Sequence, residues 1–600
     1  MQRFRKSRKD QRARVRWRRL QIRARQQLGR LPLRDSQKLH LLTFLIGGVC
    51  GLAAVAFHWL LETLQNGLIY RAASVSGPWR LPLLILIPVA GGLLAGAGLY
   101  FYAPEARGSG IPQVKTAYLL RAGRIRARVI PAKMLLPALN IGTGASLGRE
   151  GPTVQICAAL ASMLGRVFSL KREQLRSLIP VGAAAGLAAA FNTPIAAVTF
   201  TLEEILGDTA AKPLGSIVIA SVIASVVERS LLGEHALFSV PPYRLTTLNE
   251  LPFYAVLGVL SGLAAVAFNV SLLRLRAWFA AQRSVPEWAV PGAGGLVLGL
   301  LGLAALLLTG SPSVFGVGYQ QLAIGLQGGM PLRLMLLLGV FKLAATVVSY
   351  SSGSSGGIFG PSLYIGGMLG GVIGICAAGV LGDSTQPGAY VLVGMGAVFA
   401  GIVRAPITSI VMIFEMTNNY SVILPLMAAN ITSYAVARHL SPTPIYDALL
   451  AQDGLHLPQP TGHRLSQVRT AAAMTRDVAT LRGAWSANEA QRYIEGADGS
   501  RHALPLLDDE GRLIGMLDTA EIGRAVAARE GGKKLVELDR QPPVHAYPDH
   551  ALDTVLAKLG QLDVSELPVV SRRDKGRLLG VITMRDVAVA LDRASRDEDV

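Results

Sequence analysis

The stretch "GTGASLGREGPTVQ" (142–155) places a charged pair, Arg149 and Glu150, inside a glycine-rich interruption between two apolar runs. The glycines allow the backbone to bend, and Pro152 suits the first turn of a helix. A carboxylate at a helix start is an anion beside unpaired N–H groups, so it can occupy a site that a mobile anion would use. Burial favours its neutral form and helix ends favour its ionised form, so Glu150 is a candidate for reversible protonation that opens and closes such a site. For Arg149, an ion pair that holds the loop and a place in an aqueous entry are equal alternatives.

The same pattern occurs at three places: "GSGIP" (108–112), "GREGP" (148–152) and "GIFGP" (357–361). Each predicts the start of a helix, because the glycines permit a bend and the proline fits the first helical turn. Three convergent helix N-termini would make an anion site without a full cation. The alternative for any single break is a kink that serves helix packing.

Two adjacent acids, Glu203 and Glu204, end the otherwise apolar run "PIAAVTFTLEE". Acids in such segments are expensive and are functional candidates by default. Adjacent helical residues point about 100° apart, so the two acids cannot share one role. For Glu204, a proton path and a helix-end acid at the water boundary are the alternatives. Ser109 and Tyr446 add hydroxyl donors, although a tyrosine where the apolar part ends also suits an interface anchor.

The chain that carries these residues has the composition of an integral membrane protein. Of 600 residues, 51% are hydrophobic and 16% are charged, with a mean hydropathy of +0.40. The uncharged runs at 81–102, 251–273 and 288–311 each exceed the roughly 20 residues that an α-helix needs to cross a bilayer. Lys133 and Lys342 lie in other apolar stretches, where they could attract anions or extend to the surface.

A basic arm precedes the first apolar run. Residues 1–38 contain 15 Lys or Arg against two acidic residues and supply much of the net charge of +20. The positive-inside bias places this arm in the cytoplasm. A nucleic-acid-binding arm is the rival explanation, but nothing else in the chain supports it.

Nothing in the sequence indicates an enzyme. The three cysteines lie in apolar segments, and neither a disulfide framework nor metal-ligand spacing is present. A nucleophile paired with its base is absent as well, which argues against a hydrolase.

The apolar part contains an internal duplication. "VGAAAGLAAAFNTPIAAVTFTLEE" (181–204) aligns without gaps on "VGMGAVFAGIVRAPITSIVMIFEM" (393–416), and "GTGASLGREGP" aligns on "SSGSSGGIFGP" (351–361). Glu203 falls on Glu415, which suggests a shared structural task such as capping, whereas Glu204 has no acidic partner. Paired interrupted segments in two halves are a pointer to the binding site of a transporter. A duplicated structural protein is the alternative.

From about residue 465 the sequence is mixed and soluble in character. "HALPLLDDEGRLIGMLDTAEIGRAV" (502–526) resembles "SELPVVSRRDKGRLLGVITMRDVAVAL" (565–591), which indicates a tandem repeat of strands and helices. The predicted organisation is a basic arm at 1–38, a transmembrane domain at 39–450, a linker at 451–464 and a soluble pair at 465–600.

These motifs, in this order and at these spacings, resemble the CLC family of chloride channels and chloride/proton exchangers. The resemblance covers roughly residues 39–450, and the tail resembles a pair of CBS (cystathionine-β-synthase-type) domains. It implies an all-α polytopic membrane protein with inverted repeated halves, followed by a soluble α/β pair. It also implies a homodimer with an ion pathway in each subunit and with chloride and protons as substrates. The short linker and compact tail favour the cell membrane, and both termini are expected in the cytoplasm. No required cofactor and no nucleic-acid partner are expected.

The resemblance also implies residue roles. Ser109 and Tyr446 would hold chloride by their hydroxyls, together with the backbone N–H groups of Ile358 and Phe359. Glu150 would be the gating glutamate.

Glu204 would match the internal proton glutamate that separates exchangers from most channels. Serine in the first motif is similar to the chloride-preferring form, and Pro152 and Tyr446 argue against the fluoride-exporting branch. Gln113 and Gln155 depart from the glutamate and histidine that are frequent at their positions. Neither is a predicted ligand, so these departures bear on the transport rate or on surface interactions more than on the identity of the transported ion.

In the tail, Thr583 and Asp586 match the Thr-x-x-Asp pattern that in CBS domains often contacts a nucleotide ribose. Asp518 and Glu521 take the corresponding places in the first copy and match it poorly. A single adenine-nucleotide site and a purely structural dimerising module are therefore the alternatives for this part.

Taken together, the residues predict a proton-coupled chloride antiporter. Chloride and the Glu150 carboxylate would compete for one site, while Glu204 passes protons to the opposite side. A passive chloride channel of the same fold, gated by voltage or pH, is one alternative. An anion pathway regulated by nucleotide at the CBS pair is the other.

Overall fold

The computed structural model describes residues 35–596 apart from 208–212, 234–237, 239, 242, 244–247, 283, 383–384, 456–464, 466–467, 497–501, 539–543 and 563. Nearly all of the predicted basic arm (1–38) and most of the predicted linker (451–464) lie outside the described residues. The chain divides after Leu457 into two compact units.

The regular elements of the first unit are all helices among its described residues, apart from two isolated β-bridges at the breaks. Its first half contains α1 (Asp35–Gln65), α2 (Arg71–Ser74), α3 (Arg80–Phe101), α4 (Ile111–Leu119), α5 (Val129–Gly142), α6 (Glu150–Val167), α7 (Arg172–Phe191), α8 (Pro194–Phe200) and α9 (Leu214–Leu232). Its second half contains α10 (Leu251–Ala281), α11 (Val290–Thr309), α12 (Tyr319–Leu326), α13 (Leu332–Ser351), α14 (Phe359–Leu381), α15 (Pro387–Val403), α16 (Pro406–Thr417), α17 (Ile423–Leu440) and α18 (Ile445–Gln452).

Within the described residues, nine helical segments are long and apolar enough to cross a membrane. Helices α3, α10 and α11 contain the three uncharged runs of the sequence. Many large apolar side chains on these helices are exposed, among them Leu94, Val256 and Leu307. Helices that are apolar on their outer faces as well as their inner faces belong in lipid, so the chain is an integral membrane protein.

The two halves pack in the same way. Helix α1 contacts α9 as α10 contacts α17, and α6 contacts α7 as α14 contacts α15. Equivalent helices also contact each other across the halves, α3 with α11 and α8 with α16. Reciprocal contacts between equivalent elements are the signature of a two-fold relation, so the duplication predicted from sequence is confirmed as a pseudo-two-fold arrangement. The inversion of the halves stays a prediction.

Small residues bring the helices of each half together. A Cβ added to Gly366 or Gly370 of α14 would come within 2.2 or 2.0 Å of backbone oxygens of α15. Gly182 of α7 meets a carbonyl of α6 at 2.6 Å in the same sense. In lipid, where water does not drive helices together, such small-residue contacts are a main source of packing energy. They hold the helices that carry the breaks in place.

The second unit contains the predicted tandem repeat. Its described elements are α19 (Thr470–Ala473), β1 (Leu481–Arg482), α20 (Ala487–Gly496), β2 (Ala503–Leu507), β3 (Leu513–Asp518), α21 (Thr519–Ala527), α22 (Leu552–Leu562), β4 (Glu566–Val570), β5 (Leu578–Thr583) and α23 (Met584–Arg596).

The two copies of the repeat share an antiparallel strand pair and an equivalent core, although β1 adds a third strand to the sheet of the first copy. Strands β2 and β3 pair antiparallel, as do β4 and β5, and the register shifts at Leu506/Leu507 in one copy and at Val569/Val570 in the other. Each copy has its own apolar core, with Leu504 and Ile522 in the first where Leu567 and Val587 lie in the second. The alternating strand pattern of the sequence therefore produced one α/β motif twice.

Candidate anion and proton site

The three glycine-rich breaks all open helices, as predicted: α4 begins at Ile111, α6 at Glu150 and α14 at Phe359. Their backbones bond to one another. The N–H groups of Gly148 and Gly357 donate to each other's carbonyls at 2.6 and 2.7 Å, and the N–H of Gly356 donates to Gly108 O at 3.2 Å. The starts of the three helices therefore lie in one cluster, which the simple kink alternative does not require.

A fourth break joins them. "GVGYQ" (316–320) opens α12 at Tyr319 and is the repeat counterpart of "GSGIP". Gly316 and Gly318 have φ of +64° and +88°, a backbone conformation that glycine adopts without strain, and the N–H of Gly316 donates to Gly144 O at 3.1 Å. Sequence analysis missed this break because it lacks a proline; extending the repeat upstream would have found it.

Lys133 and Lys342 hold equivalent loops. The Lys133 ammonium donates to Ala106 O at 3.0 Å and Gly108 O at 2.6 Å, and Lys342 donates to Val314 O at 3.3 Å and Gly316 O at 2.6 Å. Both lysines are 0% exposed, so neither extends to the surface. Each side chain fixes a loop that precedes a helix start, and in its protonated form it favours an anion near that loop.

The Glu150 side chain reaches from the start of α6 to the start of α14, a helix of the opposite half. This side chain is 0% exposed. One carboxylate oxygen, Oε2, accepts from Gly360 N in the first turn of α14 at 3.2 Å, and the other, Oε1, accepts a hydrogen bond from the Tyr319 hydroxyl. The carboxylate therefore occupies the position that the N–H groups of α14 offer to an anion.

Ser109 and Tyr446 bring two buried hydroxyls close to that position. Both residues are 0% exposed, and neither hydroxyl completes a hydrogen bond with the described atoms. Ser109 packs on the first turn of α6, where a Cβ on Gly151 would come within 2.5 Å of its Oγ. Buried hydroxyls without protein partners are unusual and are ready donors for an anion.

Ile358 and Phe359, the other predicted anion ligands, lie at the start of α14 and are fully buried. Their backbone N–H groups belong to the first turn, where a helix leaves its donors without internal partners. Helix α4, which begins just after Ser109, packs against α6, against α18, which carries Tyr446, and against the turn Thr201–Leu206, which carries Glu204. The predicted anion ligands, the candidate gate and the candidate proton glutamate thus surround one region.

Glu203 and Glu415 each cap a helix that belongs to the opposite half. Glu203 accepts from Ile407 N and Thr408 N of α16 at 3.2 and 2.8 Å, and Glu415 accepts from Ile195 N and Ala196 N of α8 at 3.0 and 2.7 Å. Each carboxylate satisfies first-turn N–H groups of the equivalent helix in the other half. This confirms the capping task predicted for the pair.

Glu204 faces a different way. Its carboxylate is 7% exposed and lies 2.8 Å from Lys115 Nζ, which also bonds Asp447 Oδ1 at 2.6 Å. The segment Thr201–Leu206 that carries both acids is a π-helical turn, whereas the equivalent part of α16 continues as α-helix. Such π-turns change the direction of side chains and are frequent at functional sites. Sequence analysis missed Lys115 and Asp447.

Arg149 lines a recess and forms no ion pair with a carboxylate in the part of the chain that the structure describes. Its guanidinium hydrogen-bonds to His58 Nδ1 and to Ala190 O at 3.3 Å. A cavity of about 190 Å³ is bounded by these side chains, with Glu62 and Tyr319 among its other lining residues. Since Tyr319 bonds Glu150, this recess leads towards the carboxylate.

In the second unit, Thr583 and Asp586 bond mainly to each other. Asp586 Oδ2 accepts from Thr583 N at 2.9 Å and from its hydroxyl at 2.8 Å, and Asp586 N donates back to the same hydroxyl at 3.1 Å. This reciprocal pattern is a helix capping box at the start of α23. The first copy differs, because Asp518 caps Ala520 N and Glu521 pairs with Arg524.

Comparison with known proteins identifies the families that this chain resembles. Residues 91–438 match the model of the voltage-gated chloride channel family, and residues 467–528 and 536–593 each match the CBS domain. The chain is 35% identical over 421 residues, 68% of its length and 87% of the relative's, to the protein named H(+)/Cl(-) exchange transporter ClcA of Vibrio campbellii.

Solved structures agree with the fold. A structure described as a slow cyanobacterial Cl-/H+ antiporter is 28% identical with a TM-score of 0.64, covering 69% of this chain and 97% of that one. A structure described as a eukaryotic CLC transporter is 20% identical with a TM-score of 0.59 and covers 92% of this chain and 98% of that one, which is a likeness of fold alone. The chain therefore belongs to the CLC family of voltage-gated chloride channels and carries a pair of CBS domains after its membrane unit.

Proposed function

We propose that this chain is a chloride/proton antiporter. The observation that carries the proposal is the position of the Glu150 carboxylate, which accepts from the start of α14 where the anion ligands converge. The relatives named as exchangers support the same activity.

The mechanism follows from competition for one site. A chloride ion held by the Ser109 and Tyr446 hydroxyls and by the N–H groups of Ile358 and Phe359 would use donors of the same helix start that the Glu150 carboxylate uses. Chloride entry therefore favours a displaced carboxylate, and displacement into water favours its protonation. A protonated Glu150 no longer competes as an anion, so chloride passage and proton binding become linked.

Glu204 supplies the second proton site. Its carboxylate is buried beside Lys115, which supports a second acid in the protein interior besides Glu150. Protons that travel between Glu204 and Glu150 would complete a transmembrane route while chloride moves the opposite way. A passive channel needs no such acid.

For assembly, we infer a homodimer formed through helices α8, α9, α16 and α17. These equivalent helices of the two halves expose large apolar side chains, including Ile195, Val222, Ile407 and Ile431. A symmetric apolar surface of this kind suits a two-fold contact with a second copy. We further place the chain in the cell membrane, with the basic arm and the second unit in the cytoplasm, according to the positive-inside bias.

For the second unit, we infer a structural role. The carboxylate of Asp586 is engaged in capping α23, so a nucleotide ribose would have to displace bonds that stabilise the helix. The alternative, one adenine-nucleotide site at Thr583 and Asp586, is tested by titrating ATP into the intact protein. Binding that Asp586→Ala abolishes would replace the structural role with a regulatory one.

The main test uses purified protein in liposomes with a chloride gradient and no initial pH gradient. The native chain is expected to move protons against the chloride flux, and Glu204→Gln to carry chloride without moving protons. Glu173→Gln, which changes an exposed acid in the first turn of α7, is the matched control and should behave as the native chain. Native chloride flux with unchanged pH would mean a passive pathway and would overturn the proposal.

A further inference from the structure

Lys115 of α4, Glu204 and Asp447 of α18 form a three-membered charge cluster. The Lys115 ammonium bridges the two carboxylates, at 2.8 Å from Glu204 Oε1 and 2.6 Å from Asp447 Oδ1. Their side-chain exposures are 10% for Lys115, 7% for Glu204 and 38% for Asp447. The cluster therefore runs from a buried acid, through a buried ammonium group, to an acid that reaches water.

The charges of this cluster do not balance. One ammonium group faces two carboxylates, and no other cation hydrogen-bonds to either carboxylate in the part of the chain that the structure describes. Glu203, beside Glu204, is turned towards α16 and caps it. An excess negative charge in a buried site is costly unless a proton relieves it. The cluster is therefore suited to bind one additional proton, which neutralises its excess negative charge.

The middle position of Lys115 decides how that proton could move. An ammonium group has three protons and contacts both acids at once, so it can donate a proton to one acid, and the neutral amine that remains can then take a proton from the other. A guanidinium in its place would keep the charge but does not give up its protons. The arrangement therefore differs chemically from a simple electrostatic clamp.

We propose that Asp447 and Lys115 carry protons between water and Glu204. In the inward step, Asp447 takes a proton from water, Lys115 donates one of its protons to the Glu204 carboxylate, and Asp447 returns a proton to the Lys115 amine. Lys115 and Asp447 end as they began, and one proton has moved from water to Glu204. This relay rests on the proposed exchange activity and identifies the aqueous entry for its protons.

The test measures proton and chloride flux together in liposomes for the native chain, Asp447→Asn, Asp447→Glu and Lys115→Arg. Asp447→Asn is expected to lower the proton-to-chloride ratio about a hundredfold, which is at the low end for loss of a positioned proton donor. Asp447→Glu should restore the ratio, and Lys115→Arg should lower it as Asp447→Asn does. Asp453→Asn removes an acid that pairs with Arg276 outside the cluster and should leave the ratio unchanged.

Several outcomes would overturn the relay. A native ratio in Asp447→Asn would make Asp447 a structural partner, and equal losses of chloride and proton flux would make it part of the anion path or the fold. A native ratio in Lys115→Arg would show that Lys115 supplies charge and no proton, and this variant decides the question if Asp447→Asn does not fold. Absence of proton movement in the native chain would instead be a failure of the proposed exchange.

Discussion

Removing the Tyr319 hydroxyl is the sharpest test of competition at the anion site. Tyr319→Phe deletes one of the two described hydrogen bonds that hold the Glu150 carboxylate at the start of α14 and keeps the other, from Gly360 N. The aromatic ring stays in place, with its edge contact to Phe238 at 5.6 Å between ring centroids. The substitution therefore weakens the binding of the Glu150 carboxylate at the start of α14 but leaves the N–H groups that could bind an anion there.

The expected magnitude follows from the strength of that bond. A hydrogen bond to a charged group is worth about 1.5–3 kcal/mol. Since each 1.4 kcal/mol is a factor of about ten, the equilibrium shifts at least about tenfold towards the displaced carboxylate. Chloride competes with the carboxylate, so the apparent chloride affinity should rise by up to the same factor wherever the bound carboxylate dominates.

The assay is calorimetric titration of chloride into the purified protein. Tyr364→Phe is the matched control, because that buried hydroxyl pairs with Ser313 and not with Glu150. Adding Glu150→Ala closes a double-mutant cycle: with the carboxylate gone, Tyr319→Phe should no longer change chloride affinity.

Two results would refute the reasoning. Unchanged chloride affinity in Tyr319→Phe would mean that the carboxylate does not compete from this position. An equal rise in the Glu150→Ala background would mean that Tyr319 acts on chloride or on the fold directly.

Four further outcomes are expected. Lys133→Met should lower chloride affinity about tenfold in calorimetry, because charged hydrogen bonds worth about 1.5–3 kcal/mol that hold the Ala106–Gly108 loop are lost. Glu203→Gln and Glu415→Gln should each lower thermal stability in detergent by about 1 kcal/mol, as loss of a helix cap does. Thr583→Ala should lower the free energy of unfolding of the second unit by a similar amount, which circular dichroism would detect as a lower melting temperature. Burial and the nearby Lys558 lower the pKa of His550, so the folded second unit binds fewer protons than the unfolded chain. The stability of this unit should therefore fall as the pH drops below about 6.5 and through the folded pKa. In chemical denaturation, His550→Gln should make the stability depend less on pH.

Much of the site was predictable because its elements are local. Gly and Pro at the breaks act on their own backbone, so the starts of α4, α6 and α14 follow from a few adjacent residues. The alignment of Glu203 with Glu415 likewise predicted a shared capping task. The tail repeat was readable because each copy buries the same positions.

The rest depended on residues far apart in the chain. Lys115 is 89 positions from Glu204 and 332 from Asp447, and Tyr319 is 169 positions from Glu150. Taken singly, a lysine on a short helix and a tyrosine after a glycine pair have ordinary structural uses, and no local pattern joins them to an acid. The π-turn at Thr201–Leu206 has no sequence signal either, because it arises where packing redirects one half and not the other.

The sequence by itself determined a duplicated membrane unit, the helix starts that attract anions, the two candidate acids and a repeated soluble tail. These features depend on hydrophobic runs, on the backbone preferences of Gly and Pro, and on repeat register, all of which act over short distances. Only the tertiary structure decided which groups meet: Tyr319 on Glu150, Lys115 between two carboxylates, and each half capping the other. Those contacts follow from the pseudo-two-fold packing, which brings distant segments within hydrogen-bond distance and is not written in any single segment.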